Sequence, residues 1–183
     1  MKSVPRGPAY RPMLDNRDPH RPFMLAALEE ARRAGVEGEV PVGAVVVLEG
    51  VIVGRGHNRP IGECDPTAHA EVLALRDAAR RVGNYRLPEA TLYATVEPCV
   101  MCAGACLQAR VAQLVFGATD EKAGAVVSRE RLLDEGRWNH TVRVIGGVMA
   151  EEAGGLLQEF FRVRRAEGYR SGRTGLDSKS SWG

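Results

Sequence analysis

The chain of 183 residues has no long hydrophobic run, and its longest apolar stretches are as short as Val42 to Leu48. Because a membrane-spanning helix needs about 20 apolar residues, we expect no span. The first 22 residues contain five prolines and lack the apolar core of a secretory signal, so we expect a cytoplasmic protein. No internal repeat is visible. The composition, 44% hydrophobic and 26% charged, is typical of one globular domain.

The formal net charge is only +2, which by itself argues against a nucleic-acid partner. That charge is unevenly spread, however. Residues 1–22 carry +3, residues 162–183 carry +4, and residues 23–161 carry −5. The chain is therefore an acidic body with two basic ends, and basic ends are typical of contacts with phosphate. For the first 22 residues we favour a solvated, flexible extension over a binding role.

Cysteine is scarce, with four residues at positions 64, 99, 102 and 106. Without a secretory signal, a disulfide framework is not expected. The pair Cys99 and Cys102 forms a Cys-x-x-Cys motif, which in this context indicates metal or redox chemistry.

Apolar spacing predicts an α/β domain with four helices and five strands. The predicted helices cover about residues 22–35, 68–81, 98–110 and 150–165. The predicted strands cover 42–48, 51–54, 91–96, 114–117 and 142–145. Glu49-Gly50 joins the first two strands as a hairpin, so the sheet must be mixed. Strands alternating with helices predict a three-layer α/β/α architecture.

Two short motifs carry the chemistry, His69-Ala70-Glu71 and Pro98-Cys99-Val100-Met101-Cys102. Pro98 predicts that both cysteines lie in the first turn of a helix, on one face. Thiolates there, with His69 as third ligand, suit tetrahedral zinc. Two residues apart in a helix is about 200° of rotation, so His69 and Glu71 cannot both face one ion from mid-helix.

His69 must therefore lie where its helix starts, and Asp65-Pro66-Thr67 is a plausible capping signal there. Three ligands leave a fourth position for a water, which is typical of a catalytic zinc. Zinc would lower the pKa of that water to about 7, and Glu71 would act as general acid and base without binding the metal.

A closed structural zinc site is the alternative, and it would need a fourth protein ligand. Cys106 lies one turn deeper than Cys102 and is more typical of a core position. Cys64 lies in the preceding loop and could approach the site. His20, His57 and His140 are interpreted as ordinary polar residues.

The His-x-Glu and Pro-Cys-x-x-Cys pair resembles the signature of the zinc nucleobase deaminases. Further segments match one narrower pattern. They are Pro41–Val45, Asn58–Gly62, Asp65–Glu71, Asn84–Leu87, Leu92–Ala105, Phe116–Ala118 and Phe160–Arg162. Over about residues 23–166 the chain resembles the bacterial tRNA-specific adenosine deaminases. It departs from them at Val126-Val127 and at Cys106-Leu107-Gln108, and the proline-rich arm has no counterpart.

The resemblance implies a cytidine deaminase-like fold with one zinc per subunit, a homodimer, and conversion of adenosine to inosine at wobble position 34 of a tRNA, typically an arginine tRNA. It implies catalysis by Glu71 and metal binding by His69, Cys99 and Cys102. Its implied RNA contacts are Asn58, Asp120, Lys122, Arg162, Arg164 and Arg165. Residues 1–22 and 167–183 are then flexible extensions of a deaminase domain at 23–166.

Two rival functions remain at this point. One is a deaminase of free nucleosides, cytosine or guanine on the same fold. The other is a non-catalytic, zinc-stabilised RNA-binding module, against which Glu71 argues, because a structural site has no use for a carboxylate that does not bind the metal.

Overall fold

A computed structural model describes residues 18–171, with side chains through residue 166. Its four helices are α1 (Arg21–Val36), α2 (Ala70–Val82), α3 (Val100–Ala109) and α4 (Ala150–Ser171). Its five strands are β1 (Gly43–Leu48), β2 (Val51–His57), β3 (Thr91–Val96), β4 (Gln113–Ala118) and β5 (Arg143–Ile145).

The strands form one mixed sheet in the order β2-β1-β3-β4-β5. Strand β1 pairs antiparallel with both β2 and β3, whereas β3, β4 and β5 run parallel. The hairpin between β1 and β2 turns at Glu49 and Gly50, both with positive φ, as expected for a tight two-residue turn. The predicted mixed sheet is confirmed. Because β3 and β4 are parallel neighbours, the segments that follow them emerge at the same edge of the sheet.

Side chains alternate along each strand, so the sheet separates two apolar layers. On one face Val46, Leu92 and Phe116 pack with α2 and α3. On the other face Val45 and Val115 pack with α1 and α4. The predicted three-layer α/β/α fold is therefore confirmed, and both motifs of the sequence lie on the face of α2 and α3.

Strand β2 continues three residues beyond the prediction, which ended it at Gly54. A side chain at Gly54 or Gly56 would collide with the main chain of α2, at the carbonyl oxygens of Ala74 and Ala70 respectively. These glycines therefore mark a close approach between strand and helix rather than the end of a strand. The approach fixes the start of α2 against the sheet.

Helix α2 begins at Ala70, two residues after its predicted start, and a boundary of α3 and one of α4 also differ from expectation. Helix α3 begins at Val100, because Cys99 is its extended N-cap with ψ at 175°, and Pro98 precedes the helix. Helix α4 continues past residue 165 to Ser171. Residues 1–17 and 172–183 lie outside the described part of the chain, and the predicted domain boundaries stay predictions. Among the described residues, no helix has the length and apolar character needed to cross a membrane.

Candidate active site

His69 lies at the N-cap of α2 with extended backbone angles. Asp65 does not cap this helix. Its Oδ1 instead accepts hydrogen bonds from the backbone N–H and hydroxyl of Thr67, both at 2.7 Å, and so shapes the preceding turn. The backbone N–H of Ala70 donates to Oδ1 of Asn58 at 2.9 Å. Asn58, rather than a residue of the Asp65-Pro66-Thr67 segment, thus supplies the side-chain acceptor at this helix start.

The two cysteines reach His69 from the start of α3. Cys99 is the N-cap of that helix and Cys102 lies in its first turn. The Nδ1 atom of His69 is 3.7 Å from Sγ of Cys99 and 3.6 Å from Sγ of Cys102. All three ligand atoms lie within 4.8 Å of one another. Two helix starts on one face of the sheet therefore converge on one point, as the spacing of the motifs predicted.

The donor set and its spacing fit zinc. Zn–S bonds of about 2.3 Å and Zn–N bonds of about 2.0–2.1 Å at a tetrahedral angle separate sulfur from nitrogen by about 3.6 Å. The measured separations match that value. Imidazole and thiolate are also the ligands that zinc prefers. The group therefore fits a zinc ion with three protein ligands.

Hydrogen bonding within the group polarises the thiols. A hydrogen bond from the Cys102 thiol, supported by His69, lowers the pKa of Cys99 to about 4 despite its partial burial. The same hydrogen bond and burial raise the pKa of Cys102 above its usual range. A hydrogen bond to Cys99 raises the pKa of His69. A metal must therefore displace protons from this group when it binds.

Glu71 lies in the first turn of α2 and is only 4% exposed. Burial is the main cause that raises the pKa of this carboxyl, and the charge of Cys99 adds to it. Its own backbone N–H and the nearby His69 act in the opposite direction. A buried carboxyl that keeps a proton more readily than usual is suited to general acid and base chemistry.

The remaining cysteines do not join the group. Among the side chains that the structure describes (residues 18–166), His69, Cys99 and Cys102 form a set without a fourth His, Cys, Asp or Glu. Cys106 is fully buried in the apolar layer of α2 and α3, the core position expected of it. Cys64 is exposed, and its thiol lies 3.7 Å from the carbonyl oxygen of Ile61. The described residues thus do not build a closed four-ligand zinc site.

The other histidines have ordinary polar partners. His20 contacts the Tyr93 hydroxyl at 3.0 Å, and His140 contacts the carbonyl oxygen of Val111 at 2.8 Å. His57 lies between the carboxylates of Glu30 and Glu37.

Glu97, which the sequence motifs did not single out, lies between the end of β3 and the Pro98-Cys99 segment. This carboxylate is 3% exposed. It accepts hydrogen bonds from the hydroxyl of one loop residue and from four backbone N–H groups, those of Asp120, Val126, Val127 and Ser128. Burial would raise the pKa of Glu97, but these hydrogen bonds, led by that of Ser128, lower it below its usual range. The sequence does contain a signal for Glu97, because a charged residue directly between an apolar strand and the Cys-x-x-Cys motif is unusual.

The loop after β4 carries Asp120 and Lys122. Asp120 Oδ1 accepts hydrogen bonds from the backbone N–H groups of Lys122 and Ala123, at 2.9 and 3.1 Å. The Lys122 side chain is exposed. Asp120 therefore shapes its own loop while remaining at the sheet edge that β3 and β4 share.

The basic residues of α4 do not share one environment. Arg162 and Arg165 line a cleft of about 520 Å³ together with Lys122 and Phe161. Arg162 is also paired with Glu159 at 2.6 Å. Arg164 lies apart, because its guanidinium donates to the Gly38 carbonyl at 2.6 Å and lies over the Phe160 ring. Three of the four basic residues expected to contact RNA thus surround one cleft.

A mixed five-stranded sheet with a His-x-Glu and a Cys-x-x-Cys motif at two converging helix starts defines a deaminase of the cytidine deaminase-like fold. The model of the MafB19-like deaminases matches residues 18–165. The tRNA-specific adenosine deaminase of Haemophilus influenzae is 52% identical over 146 residues, which cover 79% of this chain and 84% of that protein. Its Bacillus subtilis counterpart is 48% identical over 143 residues, covering 78% and 89%.

Solved structures give the same result. A structure from a study of A-to-I editing by tRNA:A34 deaminases at the wobble position is 45% identical with a TM-score of 0.71, covering 74% of this chain and 98% of that one. The guanine deaminase of Nitrosomonas europaea is more distant, at 28% identity and a TM-score of 0.67, with 75% and 82% covered. The chain belongs to the family of tRNA-specific adenosine deaminases.

Proposed function

We propose that this chain hydrolyses adenosine to inosine at wobble position 34 of tRNA, with an arginine tRNA as the expected substrate. One observation carries the proposal. The His69, Cys99 and Cys102 group, with buried Glu71 beside it, occurs in a chain 52% identical to a tRNA-specific adenosine deaminase. Because the proposed substrate is tRNA, we also propose that the protein acts in the cytoplasm.

In this proposal His69 through Nδ1 and both thiols hold one zinc ion per chain. When bound, zinc would supply a water of lowered pKa as the nucleophile. The shared location of the ligands at two helix starts favours the thiolate form, because the positive ends of both helix dipoles point toward it.

Glu71 moves the protons. As water adds at C6 of adenine, the Glu71 carboxylate takes a proton from that water and transfers it to N1 of the base. It then passes the second water proton to the amino nitrogen, which leaves as ammonia, and the base becomes hypoxanthine. Burial supports this role, since it raises the pKa of the Glu71 carboxyl and so makes the carboxylate a better proton acceptor.

Asn58 positions the base. Its Oδ1 is bonded to Ala70 N–H, and its Nδ2 group is the donor available for an acceptor on the purine. Because the base must leave its stack to reach the site, an anticodon loop, whose bases are already unpaired, is a favourable substrate.

The RNA meets the cleft lined by Lys122, Arg162 and Arg165. The body of the chain carries −5 and would repel phosphate, so attraction must come from such local basic groups. Asp120, in the same loop as Lys122, faces a neighbouring anticodon nucleotide in this proposal. Arg164 also donates a hydrogen bond to the carbonyl oxygen of Gly38, in addition to its proposed contact with RNA.

A homodimer is also proposed, and helix α3 supports it. The helix has no charged residue, yet Val100 in its first turn is 58% exposed. A Cβ atom placed on Gly104 would meet nothing within 4 Å. An apolar helix with an open face beside the metal ligands is suited to packing against a second copy.

The test is incubation of the purified protein with two arginine tRNA transcripts, one with A34 and a matched one with G34. Inosine is then read by sequencing. The proposal expects inosine at position 34 of the first transcript only. Free adenosine, cytidine and guanine are assayed in parallel, and turnover of one of these without tRNA editing would favour the rival deaminase. Tight tRNA binding without any deamination would favour the RNA-binding module.

A further inference from the structure

The Glu97 carboxylate joins the metal motif to the loop after β4. Its Oε1 accepts from the backbone N–H groups of three successive residues, Val126, Val127 and Ser128, at 2.7–3.0 Å. Its Oε2 accepts from Asp120 N–H at 3.1 Å and from the Ser128 hydroxyl. One side chain thus holds both ends of the 120–128 segment.

The main chain adds a second connection at the same place. Ala125 N–H donates to the carbonyl oxygen of Pro98 at 2.9 Å, and Glu97 N–H donates to that of Ala118 at 2.8 Å. A Cβ atom on Gly124 would collide with the Glu97 carboxylate. The loop therefore closes directly over this carboxylate, and only glycine fits at the contact.

We propose that Glu97 is a positioning residue that sets the loop carrying Asp120 and Lys122 relative to the metal ligand Cys99, two residues further on. It acts on tRNA binding through the loop and touches neither substrate nor metal. The inference rests on the proposed function, because the loop matters to catalysis only if these residues meet RNA.

The contacts of Glu97 distinguish positioning of the 120–128 loop from stabilisation of the metal ligands. Glu97 is not part of the His69, Cys99 and Cys102 group, and its side-chain hydrogen bonds go to residues of the 120–128 segment. Loss of the carboxylate should consequently free the loop and leave the ligands in place. The effect is expected in KM for RNA, with kcat and zinc content preserved.

Glu97→Gln is the sharpest variant. Because three N–H groups converge on Oε1, the amide oxygen takes that position and the NH₂ group faces the Asp120 N–H, so the connection to Asp120 is lost while the volume is kept. For an A34 anticodon stem-loop we expect KM to rise about 10-fold, with kcat changed less than about 2-fold and one zinc retained per chain. Hydrogen exchange without RNA should accelerate across residues 120–128 and stay unchanged at 69–71.

Two further variants keep the proposal testable if Glu97→Gln does not fold. Ser128→Ala removes one hydrogen bond and should raise KM by about 2–3-fold, while Gly124→Ala should raise it more. Val115→Ala in β4, in the opposite apolar layer, is the control for general destabilisation, with lowered Tm and unchanged KM.

A fall in kcat at constant KM, or loss of zinc from Glu97→Gln, would overturn the proposal and assign Glu97 to the metal centre. Unchanged KM and unchanged exchange would also overturn it. If the wild-type protein edits no tRNA, the proposed function fails, and the exchange measurement still decides whether Glu97 orders the loop.

Discussion

The side-chain oxygen of Asn58 lies 2.9 Å from the backbone nitrogen of Ala70, the residue between His69 and Glu71. A residue directly after β2 therefore holds the start of the helix that carries His69 and Glu71, the proposed metal ligand and the proposed general base. The same side chain is therefore proposed both to contact the base and to stabilise the start of α2, so a substitution of Asn58 affects both.

Asn58→Ala should lose both functions of this residue. The free energy of unfolding should fall by about 1 kcal/mol, as for loss of a helix cap, and inosine formation should fall as well. Asn58→Asp is the matched control, because it keeps an acceptor for Ala70 N–H but has no amide donor. It should retain stability in urea unfolding and lose activity. Full activity of Asn58→Asp would show that the amide donates nothing to the base.

Glu71→Ala should retain zinc and lose inosine formation, by a factor of about 10²–10⁴ if general acid–base catalysis alone is removed. Glu71→Gln tests the charge at constant volume and should be equally inactive. Single-turnover assays with metal analysis of the same preparations measure both quantities. A variant that still deaminates at the wild-type rate would contradict the role of Glu71.

Cys102→Ala and Cys106→Ala form a matched pair, since both thiols are buried in α3, one turn apart. Cys102→Ala, like His69→Ala, should weaken zinc binding by more than about 100-fold, the largest effect usual for losing a hydrogen-bond partner of a ligand. Cys106→Ala should keep one zinc per chain and lose about 1 kcal/mol of stability. Metal analysis after dialysis distinguishes the two. Equal zinc loss in both variants would place Cys106 at the metal.

Lys122→Ala combined with Arg165→Ala should weaken tRNA binding and reduce the slope of log K against log salt by about 1.5, because each phosphate that is no longer neutralised lowers the slope by about 0.7–0.9. Arg164→Ala should change this slope less, because its guanidinium is bonded to Gly38. Binding isotherms across a salt series measure the slope. An unchanged slope in the double variant would remove the cleft from the RNA footprint.

Gly104→Arg should convert the proposed dimer into a monomer without unfolding it. The open space at Gly104 accepts a side chain within one chain, and arginine favours a helix more than glycine does. Sedimentation measures the mass, and thermal unfolding is the control for folding. A wild-type protein that sediments as a monomer would refute the dimer.

Most of the fold could be predicted because it depends on periodic patterns. The short, mostly apolar stretches of β1 and β3, the Glu49-Gly50 turn and the apolar face of α4 are local signals. The place of His69 at a helix start follows from the rotation per residue in a helix, and the structure has the residue there.

The remaining features depend on contacts between distant segments. Asn58 caps a helix that begins 12 residues later, and Glu97 binds a loop 23–31 residues away. Neither the segment around Asn58 nor the 120–128 loop has a periodic sequence pattern that would reveal which residue it contacts. The Asp65-Pro66-Thr67 segment is the capping signal nearest in sequence, whereas in the folded chain Asn58 supplies the acceptor at the helix start.

The close contact of α2 with Gly54 and Gly56 has a consequence for directed evolution. Saturation libraries over β2 should return glycine alone at these two positions, because any side chain would push α2 outward and displace His69 and Glu71 together. Altered substrate preference would therefore have to be selected elsewhere, at exposed positions such as Lys122 in the loop after β4 or Arg165 on α4.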